Sequence, residues 1–154
     1  IGGGSASFSA VIKAEDLGLT TLMVNGGLDF GGTCVNVGCV PSKNLIRAAE
    51  TVYHATHSNF KGIKPKGADI DFAQVIKDKK TLVATLQQQK YMDVVSDFEN
   101  LTMLKGWVEF INKNTIGHVL HDGILLLHHG PQLFIGNKQL LIIINQSVIE
   151  RIRS

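Results

Sequence analysis

Gly31-Gly32-Thr33-Cys34-Val35-Asn36-Val37-Gly38-Cys39-Val40-Pro41-Ser42-Lys43 is the stretch whose reading says most about this chain. It holds both cysteines of a 154-residue sequence, five positions apart. Glycines punctuate residues 30–40, which read as a loop. Pro41 suits the first turn of a helix, where its missing N–H has no partner to lose. Cys39 therefore falls at a helix start, where unpaired N–H groups and the helix dipole favour a thiolate. Cys34 lies in the loop before it and can reach back to close a disulfide. Spacing alone leaves three readings open: a structural bridge, a redox pair, or two unrelated thiols. A dense disulfide scaffold of the secreted kind is excluded by the count.

Upstream, the chain begins Ile1-Gly2-Gly3-Gly4, which reads as a strand end entering a glycine turn. Residues 5–18 carry Phe8, Val11, Ile12 and Leu17 on one side of a helix, with Gly18 as its C-terminal cap. Residues 20–24 are β-prone, and Asn25-Gly26-Gly27 breaks the run as a turn. Strand, glycine turn, helix and strand in that order make the unit that carries a dinucleotide. The motif Gly2-x-Gly4-x-x-Ser7 fits it. Glycines let the backbone approach a pyrophosphate, and the next helix offers free N–H groups. A lone match also fits an ordinary glycine turn. Asn25 stands where an acidic residue normally takes the ribose hydroxyls, and it lacks the charge-assisted strength of a carboxylate.

Downstream, a helix is expected over 41–57 with Leu45, Ala48, Ala49 and Val52 inward. A loop follows over 59–69. A long polar helix is expected over 71–98, with Gln87-Gln88-Gln89-Lys90 on its outside, and a strand interrupted by glycine over 101–110. Beyond Asn112 the pattern weakens to short strands at 115–120, 124–127 and 140–144. His54 and His57 lie three apart on the first of these helices. No acidic or cysteine partner stands at zinc-like spacing, so a solvated helix face is the preferred reading.

Hydrophobic residues at 44% and charged residues at 18% describe a globular chain rather than a disordered one. A net charge of +2 gives no footprint for nucleic acid. The longest apolar run, from Gln139 to Ile144, is far short of the roughly 20 residues that span a bilayer. No charged and apolar leader is present at the start. A cytoplasmic protein without a membrane or nucleic-acid partner is expected.

The thirteen residues quoted first resemble the active-site signature of the class I flavoprotein disulfide reductases. This is the pyridine nucleotide–disulfide oxidoreductase family, which includes glutathione reductases, lipoamide dehydrogenases and mercuric reductases. Ser42, the run Leu45-Ile46-Arg47-Ala48-Ala49-Glu50 and Lys90-Tyr91 resemble the mercuric reductase branch most, and the resemblance covers residues 1 to about 115. It implies an α/β fold: a doubly wound, Rossmann-like FAD-binding domain over 1–154, truncated at both ends, with a divergent tail from about 116. It implies FAD as cofactor and Cys34 and Cys39 as the catalytic pair. Cys39 would contact the flavin, and Cys34 would face the substrate. FAD contacts would fall on Gly2, Gly4, Ser5, Ala6 and Ser7 in the first turn, and on Asn25 and Gly27 after the next strand. Gly32, Thr33, Lys43 and Val108 would complete them, with Lys43 balancing negative charge on the reduced ring.

In the mercuric reductase branch the substrate is Hg(II), a soft metal ion suited to the thiolates of Cys34 and Cys39, and the electrons come from NADPH. The NADPH-binding and dimer-forming domains of the homodimeric family are not expected within these residues, so the chain alone is not expected to turn over. A lipoamide dehydrogenase-like enzyme acting on a dithiol is the enzymatic alternative. A degenerate flavin- or metal-binding module is the non-enzymatic one. Ser7 for the third glycine, Asn25 for the acidic residue, and His128-His129-Gly130 in place of a family Ala-Thr-Gly stretch suggest a drifted, truncated or frameshifted copy. Gln146-Ser147-Val148-Ile149-Glu150 would lead toward the missing NADPH domain.

Overall fold

The structure is a computed structural model. It describes residues 1–112 and 115–118, and the backbone alone of strand residues 119, 125–129, 132–136 and 139–143. The expectation for residues 146–150 lies outside the described residues.

The N-terminal unit forms as its sequence pattern requires. Helix α1 (Ser5–Asp16) buries Ser7, Phe8, Val11 and Ala14. It ends in a Schellman turn: Gly18, at φ +66°, donates to the Glu15 carbonyl at 2.9 Å, and Leu19 donates to the Ala14 carbonyl at 3.0 Å. Strand β1 (Thr21–Asn25) is buried along its whole length. Its side chains alternate between two cores. Met23 packs with Phe8, Val11, Phe30, Val35, Tyr91 and Val95 under the helices. Leu22 and Val24 pack with Ile116 on the opposite side. A strand covered on both faces reads as a continuous apolar run, and Leu22-Met23-Val24 is one.

Strand β2 (Leu101–Lys105) runs parallel to β1, with Thr21 opposite Leu101 and Asn25 opposite Lys105. Between them come α2 (Gly32–Asn36), α3 (Cys39–Thr56) and α4 (Phe72–Gln87). The sheet is mixed. Strands β6 (Gln132–Gly136) and β7 (Gln139–Ile143) join it antiparallel, giving the order β2-β1-β7-β6. A second, antiparallel sheet is built from β3 (Trp107–Asn112), β4 (Thr115–Val119) and β5 (Leu125–His129) in chain order. Helices on one face of the main sheet and a small sheet on the other make a Rossmann-like α/β domain.

Several boundaries differ from expectation. The cysteine loop contains a helix, α2, only five residues long. A helix that short is held by tertiary contacts rather than by propensity. The long polar helix ends as an α-helix at Gln87 and continues as a π-turn over Gln88–Met92 and a 3-10 turn over Asp93–Val95. That change of winding turns Tyr91 and Val95 into the core. The expected strand over 101–110 is two strands, parted at Gly106, whose φ of +156° redirects the chain from one sheet to the other. Strand β6 has no counterpart among the expected elements.

A glycine-walled cleft beside a cysteine pair

Two glycine turns lie backbone to backbone at the C-terminal end of β1. Gly2 donates to the Val24 carbonyl at 2.7 Å, and Gly31 donates to the Gly3 carbonyl at 2.6 Å. A Cβ on Gly32 would stand 2.6 Å from the Gly4 Cα, and one on Gly3 would stand 2.7 Å from the Asn25 side chain. Neither position has room for a side chain. Helix α1 begins after Gly4 with no side chain capping its first turn. Such an end accepts an anion.

Beside these turns opens a cleft of about 370 Å³. Gly2, Gly3, Asn25, Gly32 and Thr33 line one part of it, and Gly106, Trp107 and Val108 another. Of the expected cofactor contacts, the fold thus gathers Gly2, Asn25, Gly32, Thr33 and Val108 around one space. Gly4 lies directly behind it against Gly32. Ser5, Ala6, Ser7, Gly27 and Lys43 do not line it. Ser5 and Ala6 are exposed on α1, and Ser7 is buried beneath that helix. The Ser5 hydroxyl is hydrogen-bonded to the Tyr91 hydroxyl at 2.8 Å. The Asn25 amide is turned into its own chain, donating to the Leu28 carbonyl at 2.7 Å.

The cysteines stand at one end of this arrangement. Cys34 is in α2, next to Thr33, and Cys39 is the first residue of α3. The chain reverses between them through Gly38, which donates to the Thr33 carbonyl at 2.6 Å. A Cβ on Gly38 would lie 2.8 Å from that carbonyl oxygen and 3.4 Å from the Cys34 Cα. Both thiols are free and exposed. The Cys34 thiol is held above its ordinary pKa, first by its hydrogen bond to Cys39, then by local desolvation and the charge of Cys39. A backbone hydrogen bond at Cys39 and the Lys43 ammonium act in the opposite direction. Lys43 itself is exposed, one turn into α3.

Sequence patterns did not mark three participants. Trp107 belongs to no motif and reaches the cleft only because Gly106 turns the chain. Gly26 would place a Cβ 2.7 Å from the Gly106 carbonyl oxygen, so its lack of a side chain brings the ends of β1 and β2 together. Gln87 donates from its side chain to the Phe30 carbonyl at 2.7 Å and ties α4 to the cysteine segment. The histidines behave as a helix face. His57 is stacked on Tyr53 with ring centroids 4.3 Å apart, and its Nδ1 is 2.8 Å from the Thr56 hydroxyl. No group of three metal-ligating side chains occurs among the described residues.

The sequence profile of the pyridine nucleotide-disulphide oxidoreductases matches residues 1–120. The chain belongs to this family. Among relatives in the family, the mercuric reductase of Lysinibacillus sphaericus is 40% identical over 116 residues, covering 75% of this chain and 21% of the relative. The mercuric reductase of Shewanella putrefaciens is 35% identical over 135 residues, or 88% of this chain and 24% of the relative. Dihydrolipoyl dehydrogenase 3 of Pseudomonas aeruginosa is 35% identical over 125 residues, or 80% and 26%. The fold matches the copper(II) complex of the HOCl-induced flavoprotein disulfide reductase RclA from Escherichia coli with a TM-score of 0.66 at 25% identity, covering 84% of this chain and 25% of that one. The chain thus spans about a quarter or less of the length of these relatives. Membership of this oxidoreductase family implies FAD as the cofactor. The glycine walls that a Cβ would fill and the uncapped start of α1 fit a dinucleotide. No helix among the described residues is long and apolar enough to cross a membrane.

Proposed function

We propose that this chain is the flavin-binding, redox-cysteine part of an NADPH-dependent mercuric reductase. The observation that carries the reading is the cysteine pair: two exposed thiols, one in α2 beside the cleft-lining Thr33 and the other at the start of α3, joined by the turn at Gly38. The mercuric reductase relatives at 40% identity favour Hg(II) as substrate.

Gly2, Gly3 and Gly32 would admit the FAD diphosphate to the backbone, and Asn25 and Val108 would border the adenosine. Bound FAD supplies the two-electron carrier between NADPH and the protein's sulfur. On the protein side, a Cys34–Cys39 disulfide takes up two electrons and two protons to give the two thiols seen here. The thiols lose their protons as they bind Hg(II), because soft thiolates are its preferred ligands. Lys43 favours that ionisation from one turn away. Overall, NADPH and Hg(II) give NADP⁺, one proton and Hg(0). A cytoplasmic setting, which keeps thiols reduced, fits this use, as does a homodimer in the complete protein.

The dihydrolipoyl dehydrogenase relative at 35% identity supports a second reading, in which the same pair exchanges with a dithiol. The experiment is an anaerobic reductive titration of the chain with FAD bound and its thiols oxidised. Four electrons per chain are expected, two for the flavin and two for the disulfide, falling to two in Cys39→Ala. Failure to retain FAD, or an uptake of two electrons by the unaltered chain, overturns the proposal. One equivalent of Hg(II) should then protect both reduced thiols from alkylation. Protection of one thiol only would show that the two sulfurs do not bind Hg(II) together and would count against Hg(II) as the substrate of the pair.

A further inference from the structure

The chain has a single tryptophan, and it is in an unusual place for that side chain. Trp107 is 69% exposed, although an indole is among the largest apolar groups a core can bury. It is the first residue of β3, directly after the turn at Gly106. Its benzo ring is laid along the Gly26-Gly27 backbone. A Cβ on Gly26 would stand 2.9 Å from Trp107 Cδ2, and one on Gly27 would stand 3.5 Å from Cη2. Two glycines thus support the ring from beneath and leave the rest of it open at the rim of the cleft.

The direction of the cleft gives this ring a use. A dinucleotide on this fold puts its diphosphate over the first glycine turn and its ribose at the end of the next strand. The glycine turn here is Gly2 to Gly4, and the strand end is Asn25. Asn25 is opposite Lys105 in the parallel pair, and Gly106 donates to the Asn25 carbonyl at 3.0 Å. A base attached to a ribose at Asn25 leaves the sheet where Gly106 sets Trp107. Val108, half-buried, borders the same side of the cleft. Every base has a π-face, and an aromatic ring fixed by its backing is a stacking platform for it.

We propose that Trp107 stacks on the adenine ring of the bound dinucleotide and is a principal contact for that end of the ligand. The proposal rests on reading the cleft as the FAD site, and it goes beyond that reading by assigning a ring–ring contact to a residue outside every motif.

Because Trp107 is the sole tryptophan, its emission reports on the site without labelling. ADP carries the adenosine and the diphosphate, and inorganic pyrophosphate carries the diphosphate alone. ADP is expected to quench and saturate the emission, and pyrophosphate to leave it unchanged. By equilibrium dialysis, Trp107→Ala should weaken ADP and FAD binding about tenfold, and Trp107→Tyr, which restores a ring, should recover most of it. The exposure of Trp107 makes both variants compatible with folding, which circular dichroism checks. Saturable ADP binding with unaltered emission overturns the stacking contact while leaving the FAD site standing. Tighter binding by Trp107→Ala overturns it too, by showing that the indole blocks the cleft. Absence of any ADP or FAD binding by the unaltered chain overturns the FAD site itself and the stacking contact with it.

Discussion

The Asn25 side chain, at the edge of the glycine-walled cleft, donates its amide hydrogen to the Leu28 carbonyl at 2.7 Å and so is committed to its own turn. A carboxylate at this position could not make that bond, because two acceptors would meet. It would turn toward the cleft, where the ribose hydroxyls of the proposed FAD would donate.

Asn25→Glu should therefore have two opposite effects. The unliganded chain loses a hydrogen bond and should be about 1 kcal/mol less stable to denaturant. FAD binding should tighten about tenfold through charge-assisted bonds to the ribose. A variant that loses stability and gains no affinity would separate position 25 from the ribose.

The contact between Gly32 and Gly4 gives a sharper prediction. Gly32 has φ +66°, and a Cβ there would be 2.6 Å from the Gly4 Cα, a backbone atom that no rotamer change can move. Gly32→Ala should cost more than about 2 kcal/mol, combining the left-handed backbone penalty with overpacking. Gly62→Ala is the control, since a Cβ there meets nothing within 4 Å. Equal midpoints for the two variants in urea would show that the two glycine turns are not locked together.

The parts of this fold legible in the sequence are those that local pattern determines. The glycine turn, α1 with its Gly18 cap, β1 and the start of α3 near Pro41 each follow from neighbours a few residues apart. What was not legible depends on distant partners. Strand β7 joins β1 through Thr21 opposite Ile143 and Leu22 opposite Ile142, a pairing that no local period encodes. The π-turn at Gln88–Met92 keeps an apolar pattern close to that of a helix while changing the hydrogen-bond ladder beneath it. The site divides in the same way. The cysteines and glycines stand in a motif, whereas Trp107 and Gln87 enter through a turn and a tertiary hydrogen bond.

The link from Ser5 to Tyr91 joins the first turn of α1 to that π-turn at 2.8 Å. Tyr91 is also buried edge-to-face against Phe8, with centroids 4.9 Å apart. Tyr91→Phe keeps the ring contact and should cost about 1 kcal/mol, the value of one hydrogen bond. Tyr91→Ala empties the core position and should cost about 3–5 kcal/mol. Thermal midpoints should fall in that order, by about 2–4 °C for each kcal/mol in a chain of this size. Equal midpoints for Tyr91→Phe and the unaltered chain would show that the Ser5 bond adds nothing.

The cysteine pair predicts an asymmetry with pH. The hydrogen bond to Cys39 holds the proton on Cys34, and local desolvation and the charge of Cys39 reinforce it, so the Cys34 pKa lies above that of a free thiol. At any pH near or below that raised value, Cys34 presents less thiolate than a free cysteine, and alkylation follows the thiolate. Its alkylation should therefore begin at higher pH than that of a model thiol. Cys39→Ala removes the accepting sulfur and its charge together, leaving the opposing pull of Lys43, and should move the Cys34 profile to lower pH. Lys43→Met removes that pull and should move it higher still in the chain with both cysteines. Mass-resolved alkylation against pH in the three proteins is the measurement. A Cys34 profile that stays in place when Cys39 is removed would mean that Cys39 does not hold the proton on Cys34 in solution, and the case for a coupled pair would fail.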